Sequence, residues 1–209
     1  MTSRIALLLR TALALAACAA IAQSAVHAAS PPTTATTTPQ APTYVDGKLQ
    51  LPPDYREWIY VTTGIDMSYR PGATPGHHMF DNVFVNPEAY RVFKQTGTWP
   101  DKTMMVLEAR GARDKGSINQ RGFFQDADLM GIEVHIKDSA RFEGGWAFFT
   151  FDDDKPAREI DHSVDCYACH RAHAAVDTTF VQFYPTLLPI AKAANTLSAG
   201  YLQDMKKAE

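Results

Sequence analysis

Cysteine is scarce in this chain, and its scarcity limits what the thiols can do. The 209 residues contain only three cysteines, Cys18, Cys166 and Cys169. Cys166 and Cys169 are so close in sequence that a disulfide between them could not join distant parts of the chain. A structural zinc site needs four ligands, and the chain beyond Cys18 offers no other cysteine to complete one. The two thiols are therefore expected to serve a local chemistry.

Positive charge is not in excess either. The chain has 20 lysines and arginines against 23 acidic residues, which gives a net charge of −3. Affinity for nucleic acid depends on basic side chains that neutralise phosphates. The composition therefore argues against nucleic acid as a partner and favours an ordinary solvated surface.

Residues 1–28 are typical of a secretory signal peptide. Arg4 and Arg10 supply a positive region, an Ala/Leu-rich run follows, and Val26–Ala28 offers a small-residue cleavage site. The apolar run is short and is interrupted by Arg10, which disfavours a membrane-spanning helix. We therefore predict an exported protein.

An alternative processing site lies inside this segment. Leu15–Cys18 resembles a lipobox, the signal that directs lipidation of the cysteine in bacterial lipoproteins. Lipid anchoring through Cys18 therefore stays open beside cleavage after Ala28. Residues 29–43 are rich in Pro and Thr and have no apolar period, so they predict a linker.

Residues 44–195 are predicted to form one domain, followed by a C-terminal tail over residues 196–209. Runs of aromatic and β-branched residues indicate strands, which tolerate such side chains well. The predicted strands cover residues 59–62, 79–85, 103–109, 131–137 and 146–151.

Three helices are predicted, over residues 87–97, 165–175 and 178–194. Asn86 is the expected N-cap of the first, because it precedes Pro87 at the first helical position. Pro185 and Pro189 are expected to break the last one. Because the strands come first and the helices last, the pattern predicts an α+β fold, mainly an antiparallel sheet with C-terminal helices that carry Cys166 and Cys169.

The segment Cys166–His170 has the C-x-x-C-H spacing of a haem attachment motif. On one helical turn, positions i, i+3 and i+4 share a face, so both thiols can reach the haem vinyl groups while the imidazole reaches the iron. We therefore predict one covalent haem c per chain, attached at Cys166 and Cys169, with His170 as the metal ligand. A thioredoxin-like pair is disfavoured, because such a pair lies early in a βαβ unit.

A second axial ligand to the iron is not evident in the sequence. Small electron carriers use a methionine downstream of the motif, and here only Met205 follows, in the predicted tail. A four-helix-bundle cytochrome would show a helical period before the motif, where this chain shows strands. The remaining histidines are each expected to be ordinary surface or packed residues: His77, His78, His135, His162 and His173. The distal position is therefore expected to be vacant.

Several short motifs, in a fixed order between about Leu51 and Ala194, resemble cytochrome P-460 and its relative cytochrome c′-beta. They are Tyr55–Trp58, Val83–Pro87, Thr96-Gly97, Val134–Asp138, Arg141-Phe142, Trp146–Phe149, the haem motif and Phe183–Pro185. The resemblance implies a mostly antiparallel fold, a homodimer in a bacterial periplasm, and a five-coordinate haem open to small nitrogen oxides.

One departure from the family pattern affects the expected function. In hydroxylamine-oxidising members, a lysine on the strand after the Thr-Gly turn is cross-linked to the porphyrin. Counting without gaps from Thr96-Gly97 puts this place at Leu107, which has no amine. Leu107 and Met105, two residues apart on one strand, are expected to share a face and to line the haem pocket.

An apolar pocket favours a neutral diatomic ligand, because hydroxylamine oxidation releases protons and needs a positioned base. Asp81 or Glu133 could point inward and supply a carboxylate, but acids on strands usually face solvent, and we expect these two to do so. Three functions stay open at this point. They are binding of NO or a related nitrogen oxide, hydroxylamine oxidation, and electron transfer with a redox partner protein.

Overall fold

The computed structural model describes residues 41–69, 72, 76–152 and 155–208. The predicted signal peptide, Cys18 and most of the predicted linker lie outside these residues. Within the described ranges, no helix is long and apolar enough to cross a membrane.

In the part of the chain that the structure describes, the fold consists of seven strands, four α-helices and three short 3-10 turns. The strands are β1 (Tyr44–Val45), β2 (Lys48–Leu49), β3 (Ile59–Ile65), β4 (Met79–Val85), β5 (Met104–Arg113), β6 (Phe124–Lys137) and β7 (Trp146–Phe151). The α-helices are α1 (Pro87–Thr96), α2 (Asp165–His173), α3 (Leu188–Ala194) and α4 (Ala199–Ala208). The 3-10 turns are Tyr55–Glu57, Glu143–Gly145 and Val181–Phe183.

The main sheet is an antiparallel meander in the order β3-β4-β5-β6-β7, and it confirms the predicted α+β class. Leu107 of β5 pairs with Val83 of β4 on one side and with Glu133 of β6 on the other. Because side chains alternate along a strand, Met105, Leu107 and Ala109 point to one face of the sheet and their neighbours to the other.

Each face of the sheet has its own hydrophobic core. On one face, the segments around the helices bury Phe93, Trp99 and Leu187. On the other face, Tyr55 of the first 3-10 turn and Phe149 of β7 are buried in a second core, to which the β1-β2 ribbon also contributes. Fully burying one such side chain contributes about 1.5–3 kcal/mol. The first of these cores positions the segments that form the site.

Helix α1 has the predicted bounds, but its start is held differently from the prediction. The Asn86 side chain does not cap the helix. Its Oδ1 instead accepts a bond from the Met104 backbone N–H at 2.9 Å, and its Nδ2 donates to the Lys102 carbonyl at 3.3 Å. Gly97 ends the helix with a φ of 72°, and a Cβ at this position would lie 2.6 Å from the Ala194 methyl carbon. Both its backbone angle and its surroundings therefore require glycine.

The C-terminal third differs from its prediction in two respects. The helix predicted over 178–194 is a 3-10 turn followed by α3, because Pro185 cannot donate the bond that a continuous helix needs. Pro189 lies in the first turn of α3, where proline is tolerated, and does not break it. Residues 196–209, predicted as a tail, contain α4, whose Tyr201 is buried in the core.

Candidate haem site

A cavity of about 480 Å³ opens on the sheet face that carries Met105 and Leu107. This volume lies within the range of about 300–1,000 Å³ that is common for small-molecule and cofactor sites. The apolar part of its wall comes from strands β4 to β6, from the connection between β3 and β4, and from the segment after α2. Its apolar residues are Met67, Met79, Val83, Met105, Leu107, Ala109, Met130, Ile132, Phe180 and Phe183. The sheet thus forms one wall and the C-terminal region the other.

Four large side chains at the cavity remain exposed although they are apolar or aromatic. Met67, Tyr69, Met130 and Phe183 all line the cavity, yet between 39% and 62% of the surface of each is accessible. Clustered apolar surface of this kind marks a binding site for a ligand or partner. A flat apolar group bound in the cavity would cover these four side chains, which we call the apolar rim.

His170 is the residue of the attachment motif that lines the cavity. Its Nδ1 lies 2.7 Å from the Thr178 backbone carbonyl oxygen. A carbonyl only accepts, so Nδ1 must carry the proton and Nε2 keeps its lone pair for a metal. Burial lowers the pKa of His170, partly opposed by this hydrogen bond. The imidazole is therefore held neutral, which is the form that binds iron.

Cys166 and Cys169 lie on helix α2 with His170, as the motif predicts, and both are free thiols. Cys166 is exposed and Cys169 is half-buried. Neither lines the cavity, whereas His170 does. Burial raises the pKa of the Cys169 thiol. The turn therefore presents one exposed and one half-buried thiol beside an imidazole that faces the cavity, and this arrangement fits a haem attached at its edge.

Leu107 and Met105 both line the cavity, together with Ala109 on the same strand face. The Met105 sulfur also lies 4.0 Å from the Tyr184 hydroxyl, a buried group that helps to close the wall. The structure therefore brings the two residues predicted to line the pocket into one cavity with His170. No lysine or arginine from the described part of the chain lines it.

Asp81 and Glu133 also line the cavity. Glu133 is exposed there, whereas Asp81 is half-buried and so departs from the expectation that it faces solvent. Asp81 pairs with Ala109, and Glu133 pairs with Leu107, which puts both acids on the cavity face of the sheet. Burial raises the pKa of each carboxyl group, and the charge of Asp81 raises that of Glu133 further. One carboxylate oxygen of Asp81 is buried without a hydrogen-bond partner.

His135 is a packed residue, which is one of the two ordinary states that the sequence predicts for it. It pairs with Met105 and lines the cavity. Its ring stacks on Phe148, with centroids 4.1 Å apart, and meets His170 edge to face at 4.9 Å. Burial, together with the neighbouring His170, lowers the pKa of His135 to about 3. It is thus a neutral neighbour of the predicted iron ligand.

The other histidines are surface residues, as predicted. His78 bonds to Asp66, and His77 is exposed without lining the cavity. His162 bonds to Glu159 at 2.9 Å, and His173 bonds to Asp204 at 2.6 Å. Across the described ranges, no group of three or more His, Cys, Asp or Glu side chains is placed to hold a metal ion.

Comparison with known proteins gives one result. A family model described as cytochrome P460 matches residues 52–181, a span that runs from before β3 through the attachment motif. No curated protein matches the chain.

Proposed function

The chain belongs to the cytochrome P460 family, and on that basis we propose that it binds NO or another small nitrogen oxide at a single, covalently attached haem. Family membership makes it a haem cytochrome. The observation that carries the finer proposal is that His170, Leu107 and Met105 line one cavity. An imidazole with a free Nε2 thus shares a mainly apolar chamber with Leu107, which offers no ligand, and Met105, which offers only a thioether.

The residues present fit a haem of the c type. Cys166 and Cys169 would hold it through thioether bonds, and His170 Nε2 would bind its iron. When bound, the haem supplies a ferrous iron that accepts a diatomic ligand. The protein contributes the neutral imidazole, kept in one tautomer by the Thr178 carbonyl, and the apolar rim that excludes water.

The distal position is proposed to stay open. His135 is the only histidine besides His170 that lines the cavity within the described residues, and its ring touches that of His170. Two rings in edge-to-face contact leave no room for a metal between them. Phe148 stacks on His135 and holds it in this place. A neutral diatomic needs no charged partner, so a wall with Leu107 and Met105 is sufficient for it.

Hydroxylamine oxidation is the second candidate, and a specific observation favours it. Asp81 and Glu133 put two carboxylates in the cavity, and the pKa of each is raised towards the range in which a base works at neutral pH. Leu107 argues against it, because it stands where the cross-linking lysine of the oxidising members is expected. The two acids therefore offer the carboxylate base that the sequence left open as an alternative, but not the cross-link.

The absorption spectrum of the purified ferrous protein, before and after addition of NO, tests the proposal. We expect a high-spin, five-coordinate spectrum that changes on stoichiometric addition of NO. A low-spin, six-coordinate spectrum insensitive to NO would identify an electron carrier instead. A strongly red-shifted spectrum with sustained hydroxylamine turnover in the presence of an electron acceptor would favour the second candidate.

Location and assembly are part of the same proposal. We propose a periplasmic homodimer, either free after cleavage behind Ala28 or tethered to the membrane by a lipid on Cys18. Mass spectrometry of the protein from periplasmic and membrane fractions distinguishes the two, since the mature chain would begin at Ala29 or at a lipidated Cys18. An intact Met1 on haem-loaded protein would contradict both, and light scattering would report the dimer.

A further inference from the structure

The carbonyl that holds His170 belongs to a tight turn, residues 176–179. Thr179 donates its backbone N–H to the Val176 carbonyl at 2.9 Å, and Val176 donates back at 3.4 Å. Between them, Asp177 has a φ of 52°, in the left-handed region. The direction of the Thr178 carbonyl, and hence its bond to His170, depends on how firmly this turn is fixed.

A buried side chain from outside the turn holds one end of it. The Trp99 indole N–H donates to the Thr179 hydroxyl oxygen at 2.8 Å, and that hydroxyl donates in turn to the Val176 carbonyl at 2.8 Å. Trp99 and Thr179 are both buried. Because no solvent would replace the lost partner, removing the hydroxyl would leave the indole N–H unpaired.

A lysine from the sheet holds the middle of the turn. Lys137, at the end of β6, donates from Nζ to the Asp177 carboxylate at 2.9 Å and to the Trp99 carbonyl at 2.8 Å. One ammonium group therefore ties the turn to the same residue whose indole binds Thr179. The Lys137 side chain is only 18% exposed, so its pairing with Asp177 is less screened than a surface ion pair.

We propose that Trp99, Thr179 and Lys137 are positioning residues for the iron ligand. By fixing the Thr178 carbonyl they set the strength of its hydrogen bond to His170 Nδ1, and a stronger bond there makes Nε2 a better donor to iron. This inference rests on the proposed function, because it takes His170 as the iron ligand. None of the three residues touches the cofactor in this role; they act through Thr178 and His170.

The turn itself supplies a matched control. The Thr178 hydroxyl oxygen is buried and has no hydrogen-bond partner, whereas the Thr179 hydroxyl makes two bonds. Thr178→Val and Thr179→Val are therefore the same chemical change at neighbouring positions, and only the second breaks the link to Trp99. Lys137→Met removes the ion pair, and Lys137→Arg retains the charge.

The test compares these variants in the ferrous, haem-loaded protein by the iron–histidine stretching mode in resonance Raman spectra and by the midpoint potential. We expect Thr179→Val and Lys137→Met to shift the mode to lower frequency and the potential to more positive values. Thr178→Val should match the wild type, and Lys137→Arg should restore most of the change.

Each alternative outcome has a distinct meaning. Absence of an iron–histidine mode in the wild type would overturn the proposed function. A wild-type mode that Thr179→Val leaves unchanged, or that Thr178→Val shifts equally, would overturn the positioning role. If Thr179→Val does not fold, Lys137→Met carries the test, and an unshifted mode and potential in that variant would overturn the role in the same way.

Discussion

Leu107 and Glu133 are direct partners across the β5-β6 ladder, and both side chains line the same cavity. An apolar residue that cannot form the family's cross-link thus lies beside an acid that can accept a proton. The chemistry of the site depends on this pair, because Leu107 offers no amine for a cross-link and Glu133 offers a carboxylate.

Replacing Leu107 with lysine tests whether the missing amine is what prevents a cross-link to the porphyrin. The new amine would lie on the cavity face beside Glu133, where a cross-link to the porphyrin becomes possible. We expect part of the Leu107→Lys protein to show a red-shifted spectrum and a link that survives proteolysis, as seen by mass spectrometry of haem peptides. Leu107→Met, of similar size but without an amine, should look like the wild type. A cross-link already present in the wild type would contradict our assignment of position 107.

Neutralising Glu133 should change the dependence of stability on pH. Its pKa is raised in the folded protein, above an ordinary value of 4.5, so the folded state binds more protons than the unfolded state between the two values. Stability is therefore lost as pH rises through this window. We expect Glu133→Gln to be more stable than the wild type at neutral pH, with the advantage vanishing below the ordinary pKa. Unfolding by urea at several pH values, followed through the haem absorbance, measures this.

A control for the Glu133 experiment comes from Asp126, a half-buried acid on the same strand whose pKa is lowered by its bond to Arg113. Asp126→Asn should show the opposite sign, because its favourable interaction is present above the ordinary pKa and is lost as pH falls. An identical pH profile for the two variants would show that the environment of Glu133 is not the cause.

Gly200 is predicted to be intolerant of any side chain. A Cβ at this position would lie 2.1 Å from the Ala172 carbonyl oxygen on α2, so α4 would have to move away from the helix that carries the attachment motif. Although alanine is normally the better helix former, we expect Gly200→Ala to destabilise the protein by about 1–3 kcal/mol. Gly76→Ala meets open space and should change stability by less than about 0.5 kcal/mol. Denaturant unfolding compares them, and equal stability of the two variants would contradict the close helix contact.

Haem attachment should depend on both thiols of α2. Acid-acetone extraction removes only non-covalent haem, so the wild-type polypeptide should keep its haem colour. Cys166→Ala and Cys169→Ala should each weaken attachment, because each leaves a single thioether. Cys18→Ala should not affect haem retention. Complete loss of colour from the wild type would refute covalent attachment.

The sequence predicted elements well where the signals are local. The bounds of β4 and β7 match the prediction, because each is a short run of aromatic and β-branched residues. Helix α1 was recognisable from Pro87 at its start and Gly97 at its end. Strands β5 and β6 extend further than predicted, because glycine and charged residues near their shared turn resemble a loop when read one residue at a time.

The site was predicted less completely, and the reason is physical. Alternation along β6 separates Ile132 and Val134 from Glu133 and His135, but it does not distinguish a polar face in water from one in a functional cavity. Only the packing of the C-terminal segments over that face decides it. Met105 could be placed from the sequence alone, because an apolar residue two positions from Leu107 shares its strand face and is expected to be buried.

The apolar rim has a consequence for the life of the chain before its cofactor arrives. A chain without haem exposes the apolar side chains of Met67, Tyr69, Met130 and Phe183. Such a surface favours self-association and proteolysis of the haem-free polypeptide. We therefore expect the haem-free polypeptide to be degraded faster than the haem-loaded protein. The amount of protein that accumulates should follow the supply of haem more closely than the amount of message.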